Sequence, residues 1–159
     1  MSPRAAAPSF VTPPPETATA FRRRLHAWFR KHSRDLPWRQ TRDPYRILIS
    51  ELMLQQTQVS RVLDFYRRFL ERFPDLPTLA RARSHSVMEY WAGLGYYARA
   101  RNLHQLARHV TAKRAGVIPS EPEQLRALPG VGAYTAGAVA SFAYEKRAAL
   151  VDTNVARVL

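Results

Sequence analysis

The stretch Tyr45–Gln55 constrains the fold of this chain more than any other. Read on a helical period it is apolar almost throughout, with Ile47, Leu48, Ile49, Leu52, Met53 and Leu54, and Asp43-Pro44 ahead of it has the form of a helix start. A helix apolar on nearly every side has to be surrounded by other elements. Further helical patterns can supply them. Phe21, Leu25, Trp28 and Phe29 form a stripe within about Thr17–Lys31, and Val59, Val62, Leu63, Tyr66, Phe69, Leu70 and Phe73 form another within Val59–Phe73. Pro74–Pro77 reads as a break, with short helices after it at 79–83 and 86–92. Leu103, Leu106 and Val110 point one face of a helix over Tyr97–Thr111 inward, and Arg99, Arg101 and Arg108 are expected on its solvent side. A short helix over 123–128 and a longer one over 133–144 follow. No stretch sustains the period of two that marks a strand, so the chain is expected to be all-α.

Charge narrows the partner. Lys and Arg number 25 against 12 Asp and Glu, a formal net charge of +13, and Lys31, Lys113 and Lys146 are the only lysines. Guanidinium groups stay charged and bind phosphate in a fork, so the excess favours a phosphate-rich partner; the alternative is a GC-rich genome that writes arginine freely. With no cysteine there is no disulfide framework and no thiolate ligand for a metal. The five histidines (His26, His32, His85, His104, His109) show no ligand spacing and read as surface or packing residues, so no metal site is expected. No apolar run is long enough to span a bilayer, and the N-terminus lacks a secretory layout. The expectation is an intracellular chain of one domain or one and a fraction. Residues 1–16, rich in Pro and Ala, read as a disordered leader to a folded region over 17–159.

Two carboxylates and a glycine turn stand out. Glu51 sits in the apolar helix with Ile47 and Leu48 a turn before it and Leu54 and Gln55 a turn after. Burial would raise its pKa and keep a proton available for general-acid work; the alternative is a helix-end Glu that snorkels or pairs with Arg46. Asp152, after Leu150 and Val151, could cap a helix starting near Thr153, and capping does not exclude catalysis. A protonated and an ionised carboxyl together are the apparatus for cleaving a glycosidic bond. Leu128-Pro129-Gly130-Val131-Gly132 makes a tight turn into the helix from Ala133, whose unpaired N–H groups suit a phosphodiester. Gln55-Gln56-Thr57-Gln58 could wedge into a duplex or be a solvated helix end. Tyr96-Tyr97 with Arg99 and Arg101 could stack on bases and meet phosphates, or be core tyrosines under a basic face.

Together these stretches resemble a known family. Leu128–Gly132 resembles the hairpin of the helix-hairpin-helix DNA glycosylases, with the hairpin unit at about 123–144, and Asp152 falls where that superfamily keeps its aspartate. Leu36-Pro37-Trp38-Arg39, Ser50–Val59 and Gly93–Leu103 resemble the adenine DNA glycosylases of the MutY type, over roughly Phe21–Leu159. The resemblance implies a six-helix bundle domain plus the N-terminal helix of an incomplete second lobe. It implies excision of adenine mispaired with 8-oxoguanine or guanine in double-stranded DNA, after flipping of the adenosine, by a monomer without a membrane partner. Glu51 would protonate the departing adenine, Asp152 would stabilise the sugar cation, and Tyr134 and Asn154 would line the same site. Arg34, Leu36, Trp38 and Leu54 would enclose the flipped base. Arg39, Gln56, Thr57, Tyr96 and the turn Gly130-Val131-Gly132 would contact the DNA.

A bifunctional endonuclease III-like enzyme would need a lysine two residues after the second hairpin glycine, where this chain has Tyr134. A monofunctional glycosylase is therefore expected, with a binding module lacking catalysis as the other alternative. Full-length family members carry a four-cysteine [4Fe–4S] site and a domain that reads 8-oxoguanine. No residue of this chain could supply such a thiolate, so the chain is expected to bind no cofactor, to be C-terminally incomplete, and to be marginally stable and weakly active alone.

Overall fold

The computed structural model describes residues 14–158, and the chain divides at Asp35 into two units. Residues 1–13 of the expected leader lie outside the described residues. The first unit is dominated by one helix, α1 (Pro15–His32). It begins two residues before the expected Thr17, because Pro15 occupies the first turn, where its missing N–H costs nothing. Glu16 in the first turn and Arg30, Lys31 and His32 in the last complement the helix dipole. The helix buries none of its residues, and Phe21, Leu25, Trp28 and Phe29 are exposed.

The second unit is built on α2 (Pro44–Leu54), whose Tyr45, Ile47, Leu48, Ile49, Ser50, Leu52 and Met53 are all buried. Asp43 starts it by accepting hydrogen bonds from the backbone N–H of Tyr45 at 2.8 Å and of Arg46 at 3.3 Å. α2 packs against α3 (Val59–Arg72) and α8 (Ala133–Tyr144). α8 brings a face of small residues, with Thr135, Ala136, Gly137, Ala138, Val139 and Ala140 buried, so the two backbones approach closely. The other helices complete the enclosure: α4 (Leu76–Arg81) and α5 (Ser84–Trp91) pack on α6 (Ala98–Arg114), α5 on α3, and α7 (Pro122–Arg126) on α8. α9 (Thr153–Val158) follows. Among the described residues every regular element is helical, as the periodicity predicts.

Aromatic rings fill the space between α3 and α5. Phe69 meets Trp91 edge-on at 5.9 Å and Phe73 at 4.9 Å, and Phe73 meets Tyr90 at 5.6 Å. Tyr45 donates its buried hydroxyl to the Phe73 carbonyl at 2.8 Å, which ties the start of α2 to the end of α3. Among the boundaries that differ from expectation, two in the second unit have clear local reasons. α4 begins at Leu76 rather than Leu79, because Asp75 caps it through the Thr78 N–H at 2.7 Å and Pro77 fits within its first turn instead of breaking it. α6 runs on to Arg114, three residues past Thr111, and stops where Ala115 turns left-handed (φ 49°) and the Gly116 N–H reaches back to the Val110 carbonyl at 3.2 Å.

Candidate active site

Glu51 leaves α2 on its less apolar side, between buried Ser50 and Leu52, and is itself partly buried. Arg46, the alternative partner, pairs with Asp43 at 3.6 Å instead. Burial pushes the Glu51 carboxyl up to about 7, against the pull of a hydrogen bond from Tyr134 that favours the charged form. Tyr134, in the first turn of α8 and 37% exposed, is pushed to about 12 by burial, by Glu51 and by Asp152. The phenol therefore stays a donor, and it stands in the field of both carboxylates. Glu51 and Asp152, about a hundred positions apart in the chain, thus both bear on the charge of one side chain of the hairpin helix.

Asp152 is the opposite kind of acid. The Val155 N–H bonds to its Oδ1 at 2.7 Å and the Asn154 amide to its Oδ2 at 3.3 Å, which holds its pKa below the ordinary value. It caps α9, as the cap reading expects, and the hydrogen bonds that cap the helix are the ones that keep it ionised. A protonated carboxyl and an ionised one, set apart by environment, are thereby placed around Tyr134. The loop that leads to Asp152 packs on α8 where a side chain is missing. Gly137 of α8 lies under the loop that leads to Asp152, so that a Cβ at this position would stand 2.6 Å from the Ala149 carbonyl oxygen.

The hairpin between α7 and α8 closes with the Val131 N–H on the Leu128 carbonyl at 3.2 Å, and buried Leu128 and Val131 anchor it. Gly130 is left-handed (φ 75°), and a Cβ there would lie 2.5 Å from the Cβ of Asn102. Gly132 has ordinary extended backbone and no side-chain cap, and nothing lies within 4 Å of where its Cβ would be. The start of α8 is therefore open, with its first N–H groups directed outward.

The remaining candidates divide. Gln56 and Tyr96 are exposed, Tyr96 at 61%, and both have left-handed backbone (φ 54° and 51°) although neither is glycine. Thr57 spends its hydroxyl internally, on the Gln55 carbonyl at 3.3 Å. Gln55 donates to the Thr135 hydroxyl at 3.3 Å, linking α2 to α8. Leu36 and Trp38, around a 3₁₀ turn at Pro37–Arg39, are buried in the core, where Trp38 meets Tyr66 edge-on at 5.2 Å; Leu54 is half-buried against the same core. Arg39 ends that turn on the surface. Arg34 belongs to the first unit.

One expectation is overturned. Arg99 is not on the solvent side of α6 but 8% exposed, with its guanidinium on the end of α2. The signal was present: Arg99 precedes Leu103, Leu106 and Val110 at intervals of four, three and four, on the buried stripe itself. Gly137 is not legible from the sequence, because a helical glycine gives no sign of what approaches it. Among the described residues no group of three or more His, Cys, Asp or Glu is arranged to hold a metal ion, and no helix is long and apolar enough to cross a membrane.

Residues 49–159 match the family described as HhH-GPD superfamily base excision DNA repair protein. The chain is 47% identical over 150 residues to the adenine DNA glycosylase of Rattus norvegicus, covering 89% of this chain and 29% of that protein. In three dimensions it is similar to a thermostable thymine-DNA glycosylase, with TM-score 0.79 and 34% identity over 89% of this chain and 68% of that one. It is similar also to endonuclease III in a non-covalent complex with DNA, with TM-score 0.77 and 26% identity over 90% and 66%. The chain thus spans less than a third of the rat protein's length.

Proposed function

The chain belongs to the HhH-GPD superfamily of base excision DNA repair proteins, and on that premise we propose that it is a monofunctional adenine DNA glycosylase. It hydrolyses the N-glycosidic bond of adenine mispaired with 8-oxoguanine or guanine in duplex DNA, acting as a monomer on genomic DNA inside the cell. The observation that carries this reading is the Glu51–Tyr134–Asp152 constellation. Glu51, protonated up to about pH 7, donates its proton to the adenine as the C–N bond breaks. Asp152, ionised, faces the positive charge that grows on the sugar. Asn154 keeps the Asp152 carboxylate in place, and Tyr134 keeps Glu51 oriented. Water then completes the hydrolysis at the sugar.

Around this centre, Gly130, Val131 and Gly132 hold a phosphate through the open start of α8. Gln56, Thr57, Tyr96 and Arg39 meet the duplex, and Leu36, Trp38 and Leu54 border the flipped adenine. The likeness to the rat adenine DNA glycosylase supports adenine over thymine as the leaving base. A lyase step would need an amine beside the sugar, and the hairpin position that would carry it holds Tyr134, whose phenol cannot form a Schiff base. As for a [4Fe–4S] cluster, the chain has no thiolate to bind one, and no step here runs through it.

The test is base release from a duplex with adenine opposite 8-oxoguanine, using Glu51→Gln as control. Wild type should release adenine without borohydride-trappable protein, and Glu51→Gln should lose at least about a hundredfold in rate. Release that survives Glu51→Gln unchanged would sink the mechanism, and efficient trapping would turn the assignment to a lyase.

A further inference from the structure

Arg99 is a buried cation that, among the described residues, forms no ion pair with a carboxylate. A charge taken out of water is tolerated only where its hydrogen bonds are replaced. Carbonyls do this for the two terminal nitrogens, while Nε is buried without a hydrogen-bond partner among the described residues. Nη1 donates to the Leu52, Met53 and Gln55 carbonyls at 2.8, 3.1 and 2.6 Å, the unpaired and partially negative end of α2. Nη2 donates to the Gly95 carbonyl at 3.1 Å, with the Leu94 carbonyl and the Thr57 hydroxyl at 3.4 Å. The cation also lies over the rings of Tyr96 at 5.2 Å and Trp91 at 5.6 Å, and the Trp91 indole N–H shares the Gly95 carbonyl at 3.2 Å.

Two of these acceptors have a special place in the chain. Gln55 and Gly95 immediately precede Gln56 and Tyr96, the two exposed candidates whose backbones are left-handed. Such a backbone is unfavourable for a side chain with a Cβ and persists only where its surroundings hold it. One guanidinium holds the peptide plane entering each of them. The two segments lie 40 positions apart in sequence, and the planar fork of arginine can bridge them where a point charge cannot.

We propose that Arg99 is a positioning residue for duplex recognition: by holding the Gln55–Gln56 and Gly95–Tyr96 peptides at once, it fixes the spacing of the Gln56 and Tyr96 side chains. The inference rests on the reading of that face as the one that meets DNA. Arg99 touches no reacting atom, and the pairing it enforces is between recognition elements, leaving Glu51 to the packing of α2.

Arg99→Lys, which keeps the charge and loses the fork, and Arg99→Gln, which loses both, test this by two readouts. Amide hydrogen exchange should quicken by about tenfold or more over both 55–57 and 94–97, with α4 and α8 unchanged. The dissociation constant for a duplex with an uncleavable adenosine analogue opposite 8-oxoguanine should rise about tenfold, while single-turnover adenine release at saturating protein stays within about threefold. Exchange unchanged in either segment overturns the proposal. So does uniform acceleration through the whole fold, which marks a merely structural arginine, and so does a slower single-turnover rate with unchanged binding. Should Arg99→Gln fail to fold, Arg99→Lys gives the same readouts. Failure of wild type to release adenine would count against the glycosylase assignment alone, since the exchange measurement needs no DNA.

Discussion

At the scale of single residues, the proposed chemistry depends on a carboxyl that the fold holds at some cost. The pKa of Glu51 is raised from an ordinary carboxylate value to about 7, which ties stability to pH. Below the unfolded pKa both states hold the proton and no penalty applies. As pH rises towards 7 the unfolded chain releases its proton first, so stability falls, and above 7 the full penalty is present. Glu51→Gln removes the titration. It should therefore unfold like wild type near pH 4.5 and be more stable by about 2–3 kcal/mol at pH 8, as measured by denaturant unfolding across that range. A difference that shrinks as pH rises would show that the carboxyl is not buried as described. Much of this residue was legible in the sequence, because apolar neighbours one turn away on both sides are a local pattern. Asp152 was legible as a cap for the same reason. The fate of Arg99 was not, since nothing near it in sequence announces that the carbonyl end of another helix, 44 to 47 positions earlier, will be its partner.

At the scale of elements, the α2–α8 contact was foreseeable from two compositions, one helix apolar throughout and the other made of small residues. What could not be foreseen was the use of one of those small residues to seat a loop. Gly137→Ala sets a Cβ 2.6 Å from the Ala149 carbonyl, a backbone atom that cannot rotate aside. The variant should lose about 1–3 kcal/mol of stability. It should also lose adenine release well beyond that, because the displaced loop carries Asp152, while Glu51 and Tyr134 stay where they are. Unfolding and single-turnover rates measured side by side check this, and a rate as high as wild type would show that Asp152 is not placed through Gly137. The boundaries that moved, at α4 and α6, moved through capping by Asp75 and the left-handed Ala115. Both are terminal events that periodicity alone does not register.

At the scale of the whole molecule, a net charge of +13 should make the proposed duplex affinity a function of salt. Log affinity should fall linearly with log salt, by about 0.9 for each phosphate neutralised, for undamaged and mispaired duplexes alike. Equal slopes with different intercepts are the expected result from titrations at several salt concentrations, and a slope near zero would remove DNA as the partner. The open turn before α8 gives that slope a meaning in time. It offers backbone N–H groups and, at Gly132, no side chain at all, so under the proposed function its hold on one phosphate would be the same as its hold on the next. A grip of that kind reads nothing. On the proposed function it would leave the protein able to shift along the duplex one nucleotide after another with little resistance, and a pause at a mispair would have to come from elsewhere on the surface.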